Sequence, residues 1–199
     1  MEKARAEAAA PGGGHDEGTI ETFSHALPAD IHHAATALMR QICDRRLLLG
    51  LAESCTGGLF AAVVTDVEGC AHGFDRGFVV YTDAAKARAL GVSQQILDRE
   101  GAVSAPAACA MAEGALAASD ADLVLSITGY AGPGAPGEEP GLVFFGIARR
   151  GQDARAVERH FGAVSRAEVR QACLRTGLAL LDEALASSPG RPARGRGGN

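Results

Sequence analysis

Along the chain, apolar positions follow two different periods that take turns. Ile31, Ala34, Ala35, Leu38 and Ile42 recur at helical spacing behind Pro28 and Asp30, which can start and cap a helix, so the spacing predicts a helix from about Ala29 to Arg45. Leu47 to Ala52 is a short continuous apolar run between charged and polar residues, as expected of a strand buried on both faces, and Thr56 to Thr65 reads as the helix after it. Gly77 to Thr82 reads as a second strand, Asp83 to Leu90 and Ser93 to Arg99 as short helices, and Ser104 to Ser119 as a longer helix capped by Ser104. Leu123 to Thr128 is another buried strand, followed by a Gly/Pro loop over 129–141, then a strand Leu142 to Arg150 and a hairpin partner Ala154 to Phe161 around Gly151. The last helix opens on Ser165 and Glu168, a capping-box pair, and should turn Val169, Ala172, Cys173, Leu180 and Ala184 inward.

Strands separated by helices predict a layered α/β sandwich, and the closing hairpin adds an antiparallel element, so the sheet should be mixed. The expected domain runs over 28–186. Residues 1–27, rich in Ala, Gly and acids, and 187–199, with two prolines, four glycines and three arginines, lack apolar periodicity and read as a disordered leader and tail. Three arginines on a Gly/Pro segment read better as a solvated terminus than as a nucleic-acid arm.

Composition narrows the function. With 199 residues, 47% of them hydrophobic, one core of ordinary size needs neither disulfides nor metal. A formal charge of -5 provides no basic footprint for nucleic acid, so any nucleotide ligand should be a small one. The five cysteines form no CxxC pair and the six histidines no ligand spacing, which points to free thiols in a reducing compartment and to no metal site. Neither a membrane span nor a secretory signal is legible, so the expected location is the cytoplasm.

The chemistry gathers at strand ends, where ligands of such sheets usually sit. Ala52-Glu53-Ser54-Cys55-Thr56-Gly57-Gly58 puts a hydroxyl on a sharp strand-to-helix turn whose glycines let backbone approach a ligand, and whose helix-opening amides can hold an oxyanion or a phosphate. Ser, Thr and Gly before a helix also serve as plain capping, and Cys55 is a competing nucleophile. A serine needs a base, and Lys86 is the only lysine besides Lys3. A lysine desolvated in a pocket can lose enough basicity to take the serine's proton; a solvated helix residue is the bland alternative. Tyr81, five residues earlier, is either a proton relay or a strand-end packing residue. Ser126 to Pro133 ends a strand in a glycine-bearing loop that either lines the same pocket or is a tight turn and nothing more. Arg166 and Arg170, four apart in the opening turns of the last helix, either clamp a phosphate or form a solvated basic face.

Taken in order, AESCTGG, FDRGFVVYTDAAK, GAVS, SITGYAGP and GLVFFGIA resemble the CinA C-terminal-domain family over roughly Ala37 to Leu185. The resemblance implies a three-layer α/β/α sandwich that hydrolyses the carboxamide of nicotinamide mononucleotide to nicotinate mononucleotide and ammonia, in pyridine-nucleotide salvage. It needs no cofactor, takes a small nucleotide as substrate, and works as a homo-oligomer in a stand-alone form of a domain often fused to an upstream one. By position, the family's serine falls on Ser54, its tyrosine and lysine on Tyr81 and Lys86, and its glycine-rich turn on Thr56, Gly57 and Gly58. Its strand-end loop falls on Thr128 to Pro133, which makes Glu53, Thr128, Gly129, Arg166 and Arg170 further candidates for substrate contact. This chain departs from the family in a shorter, acidic Glu138-Glu139-Pro140-Gly141 segment, in Val164-Ser165 where the family has Gly-Asp, and in Asp83 where asparagine is common. The principal rival is a non-catalytic module that binds a pyridine nucleotide without turnover; an amidase for another small amide is the second.

Overall fold

The computed structural model describes residues 27–132 and 137–187. The expected leader and tail lie outside these residues apart from Leu27 and Ser187, as does the middle of the Gly/Pro loop. In chain order the elements are α1 (Ala29–Asp44), β1 (Leu49–Glu53), α2 (Leu59–Thr65), a short 3-10 turn (Ala71–Gly73), β2 (Phe74–Val79), α3 (Asp83–Leu90), α4 (Gln94–Glu100), α5 (Ala105–Ala117), β3 (Leu123–Gly129), β4 (Leu142–Arg149), β5 (Arg155–His160) and α6 (Arg166–Ala186).

The sheet is mixed, as the sequence predicted. Its strand order is β2-β1-β3-β4-β5, with β1 parallel to both β2 and β3, and β4 and β5 running antiparallel. Leu49 and Leu51 of β1 and Leu123, Leu125 and Ile127 of β3 face a core shared with α1, α2 and α6. Ala52 and Val124 face the other way, against α3, α4 and α5. The result is a three-layer α/β/α sandwich whose central strands are buried on both faces, which explains why their sequences read as continuous apolar runs.

Close approach fixes the α5 side. A Cβ on Gly146 of β4 would stand 2.2 Å from the Ala108 carbonyl oxygen of α5, so the helix can sit this near only over a residue without a side chain. Ser126, buried beside it, donates to the same Ala108 carbonyl at 2.6 Å and accepts the Gly146 amide at 3.1 Å.

Two elements begin three residues away from expectation. β2 covers Phe74–Val79 rather than Gly77 to Thr82, because its ladder is set by parallel pairing with β1, which ends with Glu53 opposite Val79. As an edge strand it keeps Asp75 and Arg76 paired to each other at 2.8 Å, a polar stretch that periodicity alone does not mark as strand. α2 starts at Leu59 rather than Thr56, because Gly57 and Gly58 have φ of +63° and +91°, left-handed values that no α-helix contains. On α1, Met39 rather than Ala34 joins the buried stripe, and Asp30 forms an ion pair with Arg175 instead of capping the helix.

Ser165 accepts the Glu168 amide and Glu168 accepts the Ser165 amide, so the expected capping box opens α6. Among the described residues, no helix is long and apolar enough to cross a membrane, no group of three His, Cys, Asp or Glu side chains is placed to hold a metal ion, and all five cysteines are free thiols.

Candidate active site

β1 lies between β2 and β3, so the chain leaves it to one side and later returns on the other. The connections leaving β1 and β2 run to opposite faces of the sheet, into α2 and α3, and open a crevice at the C-terminal ends of these parallel strands, the usual ligand position in such a sheet. Ser54 follows β1, the segment leading to Lys86 follows β2, and Thr128 and Gly129 end β3, with Tyr130 and Ala131 after them. Together with Ala102 and Val103 before α5, Glu138 before β4 and Arg166 at the start of α6, they line a cavity of about 330 Å³.

Ser54 and Lys86 meet inside it. The Lys86 ammonium nitrogen Nζ donates to Ser54 Oγ at 3.2 Å, and both side chains are buried, at 2% and 7% exposure for lysine and serine respectively. Burial penalises the charged amine and lowers its pKa below the ordinary lysine value; Asp83 and Cys55 nearby partly oppose the shift. This combination of contact and desolvation suits a general base for a serine nucleophile.

The turn behind Ser54 is held by Glu53, which sits at the end of β1 with 1% exposure. Its carboxylate accepts the amides of Gly58 at 3.0 Å, Phe60 at 3.1 Å and Ala61 at 2.8 Å. Glu53 therefore caps α2 from the strand and is absent from the cavity wall, which replaces the expected substrate contact with a structural one. It also corrects the expectation that the helix-opening amides serve a ligand, because the helix itself uses them. Gly57 donates to the Ser54 carbonyl and Leu59 to that of Thr56, while Ser54 donates to Ile127. Among the described residues, the Cys55 and Thr56 amides are then the only N–H groups of the 54–58 turn without an acceptor, directly after the nucleophile. Of the two, the Cys55 amide belongs to a residue on the cavity wall and is the donor available for an oxyanion. Thr56 is itself 1% exposed, and its hydroxyl lacks a hydrogen-bond partner.

The remaining candidates divide. Thr128 and Gly129 line the cavity, although the Thr128 hydroxyl is already donated to Ala102 at 2.7 Å, fastening β3 to the segment before α5. Tyr81 lines the rim, 62% exposed, and hydrogen-bonds neither Ser54 nor Lys86. Thr56, Gly57 and Gly58 lie behind the wall, shaping the turn without lining the cavity. The guanidinium of Arg166 reaches the cavity over Gly132, where an added Cβ would meet it at 3.3 Å. Arg170 does not line it: its Nε donates to the Cys55 carbonyl at 3.0 Å, tying α6 to the nucleophile turn. Cys55 does line the wall, but its thiol partners Cys173 behind it, whose pKa is driven upward by that contact and by burial, while the lysine amine is bonded to serine.

Asp83, Tyr130 and Glu138 are cavity residues that the sequence motifs did not single out as site residues. Asp83 carried a signal, an acid three positions before the candidate base on one helix. Tyr130 lies in the strand-end loop that the sequence offered to the same pocket, whereas nothing local marks Glu138.

The fold and the site define a three-layer α/β domain with a buried serine–lysine pair at the switch point of a mixed sheet. The family model for the CinA C-terminal domain matches residues 31–185, and the chain belongs to that family. A CinA-like protein from Leptospira borgpetersenii is 40% identical over 153 residues, 76% of this chain and 36% of that protein. A putative competence-damage inducible protein from Lactiplantibacillus plantarum is 39% identical over 179 residues, 84% of this chain and 42% of its own length. The chain thus spans well under half of the length of the curated relatives it matches. Among solved structures, the competence/damage inducible protein CihA from Agrobacterium tumefaciens superimposes with a TM-score of 0.77 at 39% identity, covering 81% of this chain and 98% of that one. ComA from Klebsiella pneumoniae does so with 0.75 at 34%, covering 79% and 98%.

Proposed function

We propose that the chain hydrolyses the carboxamide of nicotinamide mononucleotide to nicotinate mononucleotide and ammonia, by acyl transfer through Ser54. The observation that carries this reading is the Lys86 amine, almost wholly buried and bonded to the Ser54 hydroxyl at 3.2 Å within a cavity. Ser54 Oγ attacks the carboxamide carbon while Lys86 Nζ takes the hydroxyl proton, and the Cys55 amide stabilises the resulting oxyanion. As the C–N bond breaks, Lys86 returns the proton to the departing ammonia. Water, deprotonated by the same amine, then cleaves the acyl-serine ester and releases the carboxylate product. In this reading Arg166, which lines the cavity, takes the nucleotide phosphate.

The test is ammonia release from nicotinamide mononucleotide by the purified chain, with Ser54→Ala and Lys86→Ala beside it. Turnover by the parent and none by either variant is expected. Binding of the nucleotide with no ammonia released would replace this reading with a non-catalytic nucleotide-binding module.

A further inference from the structure

Asp83 and Lys86 stand three residues apart on α3, and both line the cavity. At that spacing the two Cβ atoms lie about 5–6 Å from each other on one face of a helix. Lys86 is buried with its amine bonded to Ser54 Oγ, whereas Asp83 is an exposed carboxylate, so the acid acts on the amine through its field. The other titratable groups of the cavity come from elsewhere in the fold: Cys55 from the turn after β1, Tyr81 ahead of α3, Tyr130 after β3, Glu138 before β4 and Arg166 from α6. Arg88, further along α3, turns back to the Ala84 carbonyl at 3.4 Å, and α5, packed on α3, carries Glu113 exposed. Asp83 is the one acid of the lysine's own helix, so the backbone itself keeps it near the amine. Burial draws the basicity of Lys86 down, and Asp83, then Cys55, push it back up.

Resting on the function proposed above, we infer that Asp83 is a positioning residue for the base, whose carboxylate stabilises the ammonium that Lys86 becomes while it holds the Ser54 proton. The proton leaves Ser54 Oγ for Lys86 Nζ as the Oγ–C bond forms, and passes on to the amide nitrogen as the C–N bond breaks. Between those two steps a positive charge develops on Nζ, in a place where burial opposes it. A carboxylate held one helical turn away favours that charge through Lys86 rather than through the substrate. The same field keeps the resting lysine protonated to higher pH. Asp83 therefore strengthens the base and, below the titration of the amine, leaves less of it free to begin the reaction.

Two measurements on Asp83→Asn at low salt test this. In kcat/KM for ammonia release from nicotinamide mononucleotide, the rising limb of the variant should lie at lower pH than that of the parent, and the two profiles should cross. The variant should be roughly threefold faster below the limb, where free amine is scarce, and roughly threefold slower on the plateau, where the strength of the base counts. Ionisation of the substrate is common to both and cancels in the ratio. A limb at unchanged pH, or the same loss at every pH, would overturn the inference. The second measurement needs no turnover: thermal melts of the double-mutant cycle with Lys86→Met, at about pH 6, where an exposed carboxylate is ionised. An acid in the first turn of a helix also favours the helix dipole, but that loss is shared by both backgrounds. Asp83→Asn should lower Tm by about 1–2 °C more with Lys86 present than beside Lys86→Met, and equal losses would likewise overturn the inference. Failure of the proposed reaction reads out separately: the unsubstituted chain would release no ammonia, while the melts would still show whether Asp83 acts on the amine.

Discussion

Lys86 Nζ and Ser54 Oγ, 32 residues apart in the chain, lie 3.2 Å from one another where two parallel strands end. The amine donates to the hydroxyl from a position with almost no contact with water, and this pairing of geometry and desolvation sets the first expectation.

Lys86→Met should lower kcat by about 10²–10⁴-fold, the ordinary contribution of a positioned base, and still raise thermal stability. The sign follows from the lowered pKa: between the folded value and the ordinary 10.5 the unfolded chain binds more protons, so the folding penalty is full below that window and fades as pH rises through it. A gain in Tm of about 2–5 °C at neutral pH that shrinks as pH rises towards 10.5 would show this in thermal melts. For the parent, kcat/KM should rise with pH through a limb below the usual lysine range; a flat profile through neutrality would rule out lysine as the base.

Glu53→Gln should cost about 1–3 kcal/mol in denaturant unfolding, because a single amide oxygen cannot replace a carboxylate that accepts three backbone amides while buried. Since the same amides hold the turn that carries Ser54, kcat should fall about tenfold with KM little changed.

The two arginines of α6 should separate kinetically. Arg170→Ala releases the Cys55 carbonyl and should reduce kcat, whereas Arg166→Ala removes a cavity cation and should raise KM for the nucleotide about tenfold with kcat retained. A rise in KM alone for Arg170→Ala would return that residue to phosphate binding.

Cys55→Ala should keep activity within about twofold of the parent, because the base is bonded to serine and the thiol is turned to Cys173. Activity that vanished in this variant while its melting curve stayed normal would make Cys55 the nucleophile.

The order of elements was legible in the chain because each has its own period or cap: the apolar run of β1, the stripe of α1, the capping box of α6. The Ser54 turn was legible too, since two glycines between a buried strand and a helix announce a reversal that other residues resist. What local reading could not supply was allocation. Glu53 looks like a site residue in sequence and is a helix cap in space, because the three amides it accepts belong to residues five to eight positions further on. Arg166 and Arg170 look equivalent, yet one turn of helix sends the first over Gly132 and the second onto Cys55. Neither difference has a period to reveal it.

The sequence by itself determined the alternation of strands and helices, the mixed sheet, and the set of polar groups at strand ends from which a site could be built, all through hydrophobic spacing and backbone permissiveness. Only the tertiary structure decided which of those groups meet. The serine–lysine contact, the burial that weakens the amine as a proton holder, and the arrival of Glu138 at the same cavity all arise from strand order and register, long-range relationships that sequence neighbours do not encode.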